Sequence, residues 1–293
     1  LFLSTHIFNL SYIIMFNHMG TNQKLKAYFA LIISALFFGS TFLVVKNLLI
    51  NVSPVLIVFS RFFIASILFL FVGGIPRKQA LYPGMLMGFF LWLGYITQTQ
   101  GLITTSTVNS GVVTGFYIIL TPYISKVLNK QNIPKKNYIF SIIGFFGIVL
   151  ISINDLSQIS GNLFTLLCAL SYAIHIVFVE RYVNNFKISQ LMFVQSLTGL
   201  ILCLPFLNFK NFIFSNKLLI PILFLGLVVN VAAFYLQLYG QKVITASTSA
   251  LILSLEAIFA LLIGILIANE ILGILNWFGV LLVLVSIFYV IKE

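Results

Sequence analysis

Residues Ala246–Leu266 read ASTSALILSLEAIFALLIGIL: a Ser/Thr-rich entry, then an apolar run that holds one carboxylate, Glu256. The run has the length of a membrane helix, because a hydrocarbon core about 30 Å thick is crossed by roughly 20 residues rising about 1.5 Å each. The same pattern recurs along the chain. Ten such spans can be drawn, at 27–47, 54–74, 81–101, 108–128, 138–154, 163–183, 190–207, 218–238, 246–268 and 272–291, with no room for a soluble domain between them. Outer-membrane strands would alternate in polarity over about ten residues, and unbroken runs such as LLIGILIAN (Leu261–Asn269) do not. The expected fold class is an all-α integral membrane protein with ten transmembrane helices.

Composition agrees. Of 293 residues, 61% are hydrophobic and only 7% charged, which is too apolar for one domain in water. The net charge of +11 would suit a nucleic-acid partner, but the basic residues follow the loops. With a cytoplasmic N-terminus, the inner side holds Lys24, Lys26, Arg77, Lys78, Lys126, Lys130, Lys135, Lys136, Arg181, Lys187, Lys242 and Lys292. The outer side holds Lys46, Lys210 and Lys217, and Arg61 falls inside the second span. That asymmetry is the positive-inside pattern, so both termini are expected in the cytoplasm and nucleic acid is not expected as a partner. Cys168 and Cys203 lie within spans and read as small core residues rather than as a disulfide or thiolate metal site. The first stretch, LFLSTHIFNLSYIIMFNHM, lacks the basic start and small-residue cleavage site of a signal peptide. It is read as part of an N-terminal tail, 1–26, with Met15 or Met19 as the expected start.

Ten spans divide into two sets of five, and an odd number per set inverts the second relative to the first. Two inverted five-helix repeats are therefore expected, at 27–154 and 155–293. Laying Gln98-Thr99-Gln100-Gly101 on Gln237-Leu238-Tyr239-Gly240 sets Ser110-Gly111 on Ser249-Ala250, Gly115 on Ser254, and Tyr117 on Glu256. Both segments carry a small-xxx-small pair, Gly111 with Gly115 and Ala250 with Ser254, of the kind that lets helix backbones approach closely in lipid.

Four stretches now resemble a known family: LFFGSTFLVVKNLL, SPVLIVFSRFFIASILFLF, GYITQTQGLITTSTVNSGVVTGFYIILTP and GQKVITASTSALILSLEAIFALLIGILIANE are similar to the EamA-like family of the drug/metabolite transporter (DMT) superfamily. The likeness runs from about Tyr28 to the C-terminus. Its most specific parts are Gly39-Ser40-Thr41-Phe42, Arg61-Phe62 and the Ser/Thr-rich entry to Leu255-Glu256. The chain departs from the family at Phe38, usually Trp, at Ala257, usually Pro, and at Asn269, usually Gly. With Ala257, no proline supports a kink in the ninth span. The resemblance implies a secondary transporter with a central cavity and peripheral fifth and tenth helices, working by alternating access. Family members commonly export small metabolites, including amino acids, or drugs. Some relatives import metabolites such as S-adenosylmethionine, so an importer or exchanger stays open, as does a non-transporting scaffold. A bacterial cytoplasmic (inner) membrane is the expected location.

Glu256 comes first among the candidate site residues. A charge at the centre of a membrane helix costs about 2.5–3.5 kcal/mol on insertion scales, so it is expected to face protein or water. It serves either a substrate or proton site or a packing role. Arg61 lies two turns after Pro54, roughly 10 Å below the helix end, and either snorkels outward or pairs with a carboxylate or an anionic solute group. His175 is read as a proton relay or a packing residue. Ser110, Thr114, Tyr117 and Thr121 form one polar stripe on the fourth span. On the third and eighth, Trp92, Gln98, Gln100, Asn230, Tyr235 and Gln237 add hydrogen-bonding groups. These stripes either bind helices together or line a shared cavity. Lys46 reads as an interfacial anchor, and Glu180 with Arg181 as a solvated pair.

No nucleophile with a base, paired carboxylates or metal cluster is evident among Asp155, Glu180, Glu256, Glu270, Glu293, His6 and His18, so neither an enzyme nor a metal or other cofactor is expected. No filter-like segment suggests a channel. Without a nucleotide-binding loop, energy has to come from a proton gradient or an exchanged solute. The expected partners are the lipid bilayer and a small-molecule substrate.

Overall fold

A computed structural model describes the chain except residues 1, 106, 131, 152–158, 209–215, 269–272 and 293 and, within helices, the side chains of 2–21, 108, 109, 112, 151, 159, 160, 264, 265, 267 and 268. Asp155, Glu270, Glu293 and Lys210, and the side chains of His6 and His18, therefore lie outside the described residues. What is described is helical, with no strand. The helices are α1 (Phe2–Leu48), α2 (Pro54–Gly73), α3 (Lys78–Thr104), α4 (Thr107–Thr114), α5 (Tyr117–Leu128), α6 (Lys135–Ile151) and α7 (Ile159–Tyr182). They continue with α8 (Ile188–Cys203), α9 (Asn216–Leu223), α10 (Phe234–Gln241), α11 (Ala246–Leu253), α12 (Leu255–Ala268) and α13 (Ile274–Ile291). Over their described residues, the ten expected spans are mainly helical. Among the described residues, 8 helical stretches are long and apolar enough to cross a membrane, and α5 is a shorter apolar helix.

Local chemistry sets the ends. Ser53 caps α2, its side chain accepting from the backbone N–H of Leu56, and Pro54 fills the first turn, where no intrahelical donor is lost. Gly74, at φ 64°, ends that helix in the left-handed region that glycine enters without a steric penalty. Asn276 Oδ1 accepts from the Gly273 N–H at 2.8 Å and caps α13.

Three spans are not continuous α-helices. The fourth breaks at Gly115–Phe116, between α4 and α5, and the ninth breaks at Ser254, between α11 and α12. The two breaks fall at residues that the sequence comparison set opposite one another. The ninth span thus bends without a proline: Ser254 Oγ donates to the Leu251 carbonyl at 2.6 Å, and the Ala257 N–H bonds to Ser254 O, one residue short of α-helical register. The eighth span passes from α9 through a π-helical segment, Phe224–Ala233, into α10.

The helices pack around a centre to which Phe38 of α1 contributes. α1 lies against α12, α10 and the π segment, and α3 lies against α7 and α8. α2 lies against α8 and the π segment, α5 against α7 and α11, and α6 pairs with α13. Phe38 borders all three buried apolar clusters. Cys168 and Cys203 are buried free thiols.

Two expectations about packing change. A methyl group built at Gly111 meets no described atom within 4 Å, so the close approach expected there is not seen. It occurs instead at Gly39, where a Cβ would lie 2.5 Å from the Glu256 carbonyl oxygen and 2.8 Å from Phe259 Cβ. The break after Gly111 explains the difference, because α4 is a separate short helix rather than half of a straight packing face. The charged residues at the helix ends are also more engaged than expected. Lys46 Nζ donates to the carbonyls of Leu102 (2.6 Å) and Thr105 (3.0 Å), capping the end of α3. Glu180 Oε2 accepts from Asn129 (2.9 Å) and Ser125 (3.3 Å), while Arg181 donates to the Leu128 carbonyl, so the two tie α7 to the end of α5 rather than to each other.

Candidate functional site

The centre of the bundle holds a small cavity of about 40 Å³, lined by residues from α1, α2, α3, α5, α7, α10, α11 and α12. Six sequence-selected residues come together on its wall: Arg61, Gln98, Tyr117, His175, Gln237 and Glu256. The two helix breaks supply two of them, since Tyr117 opens α5 and Glu256 stands in the first turn of α12. A carboxylate in a first turn is favoured by the helix dipole, and half-helix ends at the midplane are where transporters commonly bind solutes. The α1 backbone at Gly39, pressed against the Glu256 carbonyl, fixes the depth of that carboxylate.

The polar groups are only partly satisfied. Glu256 is 6% exposed and its Oε1 has no hydrogen-bond partner. The Tyr117 phenol lies within electrostatic reach of it, but Tyr117 Oη makes no hydrogen bond of proper geometry. Arg61 is 2% exposed, its guanidinium carbon lies 3.6 Å from the centroid of the Tyr95 ring, and its Nε is unpartnered. No described carboxylate forms an ion pair with it. A desolvated cation–π contact contributes about 2 kcal/mol, whereas burying an ion costs several kcal/mol. The buried Arg61 cation is therefore under-compensated by the protein alone, and the Glu256 carboxyl keeps an unpartnered oxygen.

Around them the wall is ordered by hydrogen bonds. Tyr95 Oη donates to Asn230 Oδ1 at 2.6 Å, and Asn230 Nδ2 donates to the Arg61 carbonyl at 3.2 Å. Tyr172 Oη donates to Gln98 Oε1, whose amide nitrogen donates to Thr114 Oγ1, both at 3.3 Å. Gln237 Nε2 donates to Gln241 Oε1 at 3.0 Å, and Gln241 donates to the Ile176 carbonyl at 2.9 Å. His175 Nε2 lies 3.3 Å from Gln195 Oε1, so the ring carries its proton there when that oxygen accepts.

Four expected site residues are not on the wall. Asn230 and Thr114 stand behind it, holding Tyr95, Arg61 and Gln98. Ser110 is buried without a hydrogen-bond partner. Trp92 lines a separate recess with Val55, Ile96, Gln100, Phe164 and Phe206. The polar stripe of the fourth span does not act as a unit, because the break at Gly115–Phe116 carries Tyr117 alone to the cavity; Thr121 Oγ1 returns to the Tyr117 carbonyl.

The sequence reading missed the aromatic wall. Tyr95, Tyr172, Phe38 and Phe234 line the cavity, with Phe38 and Phe234 centroids 4.8 Å apart and Tyr95 edge-on to both Phe234 and Tyr172. The two phenols were the signal available, since a tyrosine inside an apolar span needs a partner for its hydroxyl. Among the described residues no three His, Cys, Asp or Glu side chains come together as metal ligands.

The sequence model of the EamA-like transporter family matches residues 25–153 and again 159–292. An "uncharacterized transporter" of Archaeoglobus fulgidus is 33% identical over 271 residues, covering 92% of this chain and 86% of that protein. The "uncharacterized transporter YcxC" of Bacillus subtilis is 23% identical, covering 92% of this chain and 94% of its own length. A solved crystal structure with 14% sequence identity superposes with a TM-score of 0.73 over 91% of this chain and 95% of that one, a likeness of fold. The chain is an integral membrane protein and belongs to the EamA-like transporter family.

Proposed function

We propose that the chain is a secondary transporter that moves a small amphipathic solute, an amino acid or related compound, through the central cavity by alternating access. The observation that carries this reading is the pair of incompletely partnered ionisable groups, Glu256 and Arg61, on the wall of one aromatic-lined cavity at the centre of the helix bundle. Export is the direction taken from the family resemblance.

The reading takes the chain as two inverted repeats, and two observations support that arrangement. The helix breaks fall at matched positions, and the packing comes in matched pairs. α1 meets α12 as α7 meets α5 and α4, and α3 meets α7 as α10 and the π segment meet α1. Such symmetry gives a bundle two arrangements of similar energy, one open to each side. The energy source is a proton or an exchanged solute.

Counterflow in proteoliposomes tests the reading. Vesicles carrying the full chain and preloaded with unlabelled amino acids are expected to accumulate the labelled counterpart above protein-free vesicles. Absence of counterflow across a panel of amino acids and small amines would count against it.

A further inference from the structure

We infer that Arg61 forms an oxyanion subsite in the cavity, taking a carboxylate or phosphate group of the solute, and that Asn230 is its positioning residue. The inference rests on the transporter reading and adds the chemistry of one end of the solute.

A guanidinium cannot discharge itself by losing a proton, so a buried arginine has to be neutralised by something else. Here the side chain is among the largest fully buried ones in the chain. Its guanidinium carbon lies 3.6 Å from the centroid of the Tyr95 ring, a contact that offsets part of the charge. Its Nε is a buried donor without an acceptor. The other titratable groups on the cavity wall are Tyr95, Tyr172, His175, Tyr117 and Glu256. Glu256 is the one carboxylate among them, and it lies beyond ion-pair distance, beside Tyr117. A guanidinium presents a planar donor edge, and one buried on a cavity wall with no anionic partner suits two-point recognition of an oxyanion.

Asn230 makes that edge a fixed feature. It accepts from the Tyr95 phenol and donates to the Arg61 backbone carbonyl, so one side chain joins both ends of the stack. It does so from the π-helical segment, and π-turns recur at functional sites.

The test uses three probes on one carbon skeleton: 4-methylpentanoate, 3-methylbutyl phosphate and 3-methylbutylamine. Their effect on the thermal unfolding of the detergent-purified full chain is measured, since a ligand that binds the folded state raises the midpoint. One or both anionic probes are expected to stabilise the wild type, and which of them does so separates carboxylate from phosphate. Arg61→Gln is expected to abolish that shift. Arg61→Lys keeps the charge but loses the planar edge, and is expected to weaken binding by about tenfold or more. It decides the matter if the Gln variant does not fold. Asn230→Ala is expected to weaken the anionic probes while leaving any response to the amine, a selectivity that a general loss of packing would not produce. The subsite is overturned if neither anion stabilises the wild type, or if the shift survives at full size in the arginine variants. Counterflow separates the two readings. An anion that binds through Arg61 but is not carried would sink the transporter reading alone. Equal flux through wild type and Arg61→Gln would sink the subsite alone.

Discussion

A single side chain can be anomalous in a sequence only against a uniform background, and that decides which site residues could be read. Glu256 and Arg61 stood out because each breaks an apolar run, and both line the cavity. Tyr95, Tyr172, Phe38 and Phe234 did not stand out, because aromatic residues make up 15% of the chain and occur on every face. Lys46 was legible as a charge near a helix end, but its acceptors, the carbonyls of Leu102 and Thr105, come from a helix far along the chain. For Glu256 the expected outcome is specific. Glu256→Gln preserves shape and removes ionisation, so counterflow should fall about tenfold or more, or lose its pH dependence, at near-normal membrane abundance. Wild-type flux with unchanged pH dependence would make Glu256 a packing residue.

At the scale of elements, span positions were legible because apolar length is a one-dimensional property. The interruptions were not. Ser254 lies in an unbroken apolar pattern with no proline beside it, and the π segment has the same composition as an ordinary helix. The small-xxx-small motif on the fourth span correctly marked small residues but could not show which face meets a neighbour. The close contact belongs to Gly39, against the backbone of α12. Gly39→Leu should therefore force α1 away from Glu256, with overpacking of about 1–3 kcal/mol or more and loss of transport. Gly111→Leu should leave abundance and flux near wild type. Thermal stability and counterflow of the two variants check this, and the reverse order would restore the original packing expectation.

At the scale of the whole molecule, the two ends of the bundle are held by different sets of contacts that centre on a close-packed glycine in each case. At one end α3 meets the start of α7: a Cβ at Gly101 would lie 2.6 Å from Thr165 Oγ1 and 2.8 Å from the Gly161 carbonyl. Lys46 caps α3 beside it, and Thr105 bonds to Asn162. At the other end α10 meets α1 at Ala27 and Leu31: a Cβ at Gly240 would lie 2.6 Å from Leu31 Cγ and 3.0 Å from the Ala27 carbonyl. Asn184 bonds to the Lys242 carbonyl there. Gly101 and Gly240 are the residues that the sequence comparison laid on each other, and each is a close-approach point; in the proposed mechanism each would mark one gate. If the basic loops lie inside, as the charge pattern leads one to expect, the Gly101 end faces outward and the Gly240 end faces the cytoplasm. A methyl group at either should hold its own end apart and shift the population toward the state open on that side. The reporter is a cysteine at Thr41 on the cavity wall, in a chain whose Cys168 and Cys203 are replaced by alanine, treated with a membrane-impermeant thiol reagent. Gly101→Ala should raise labelling in intact cells, whereas Gly240→Ala should raise it in inside-out vesicles and lower it in cells. Equal changes from both sides would refute two separate gates, and the opposite pairing would reverse the orientation of the chain in the membrane.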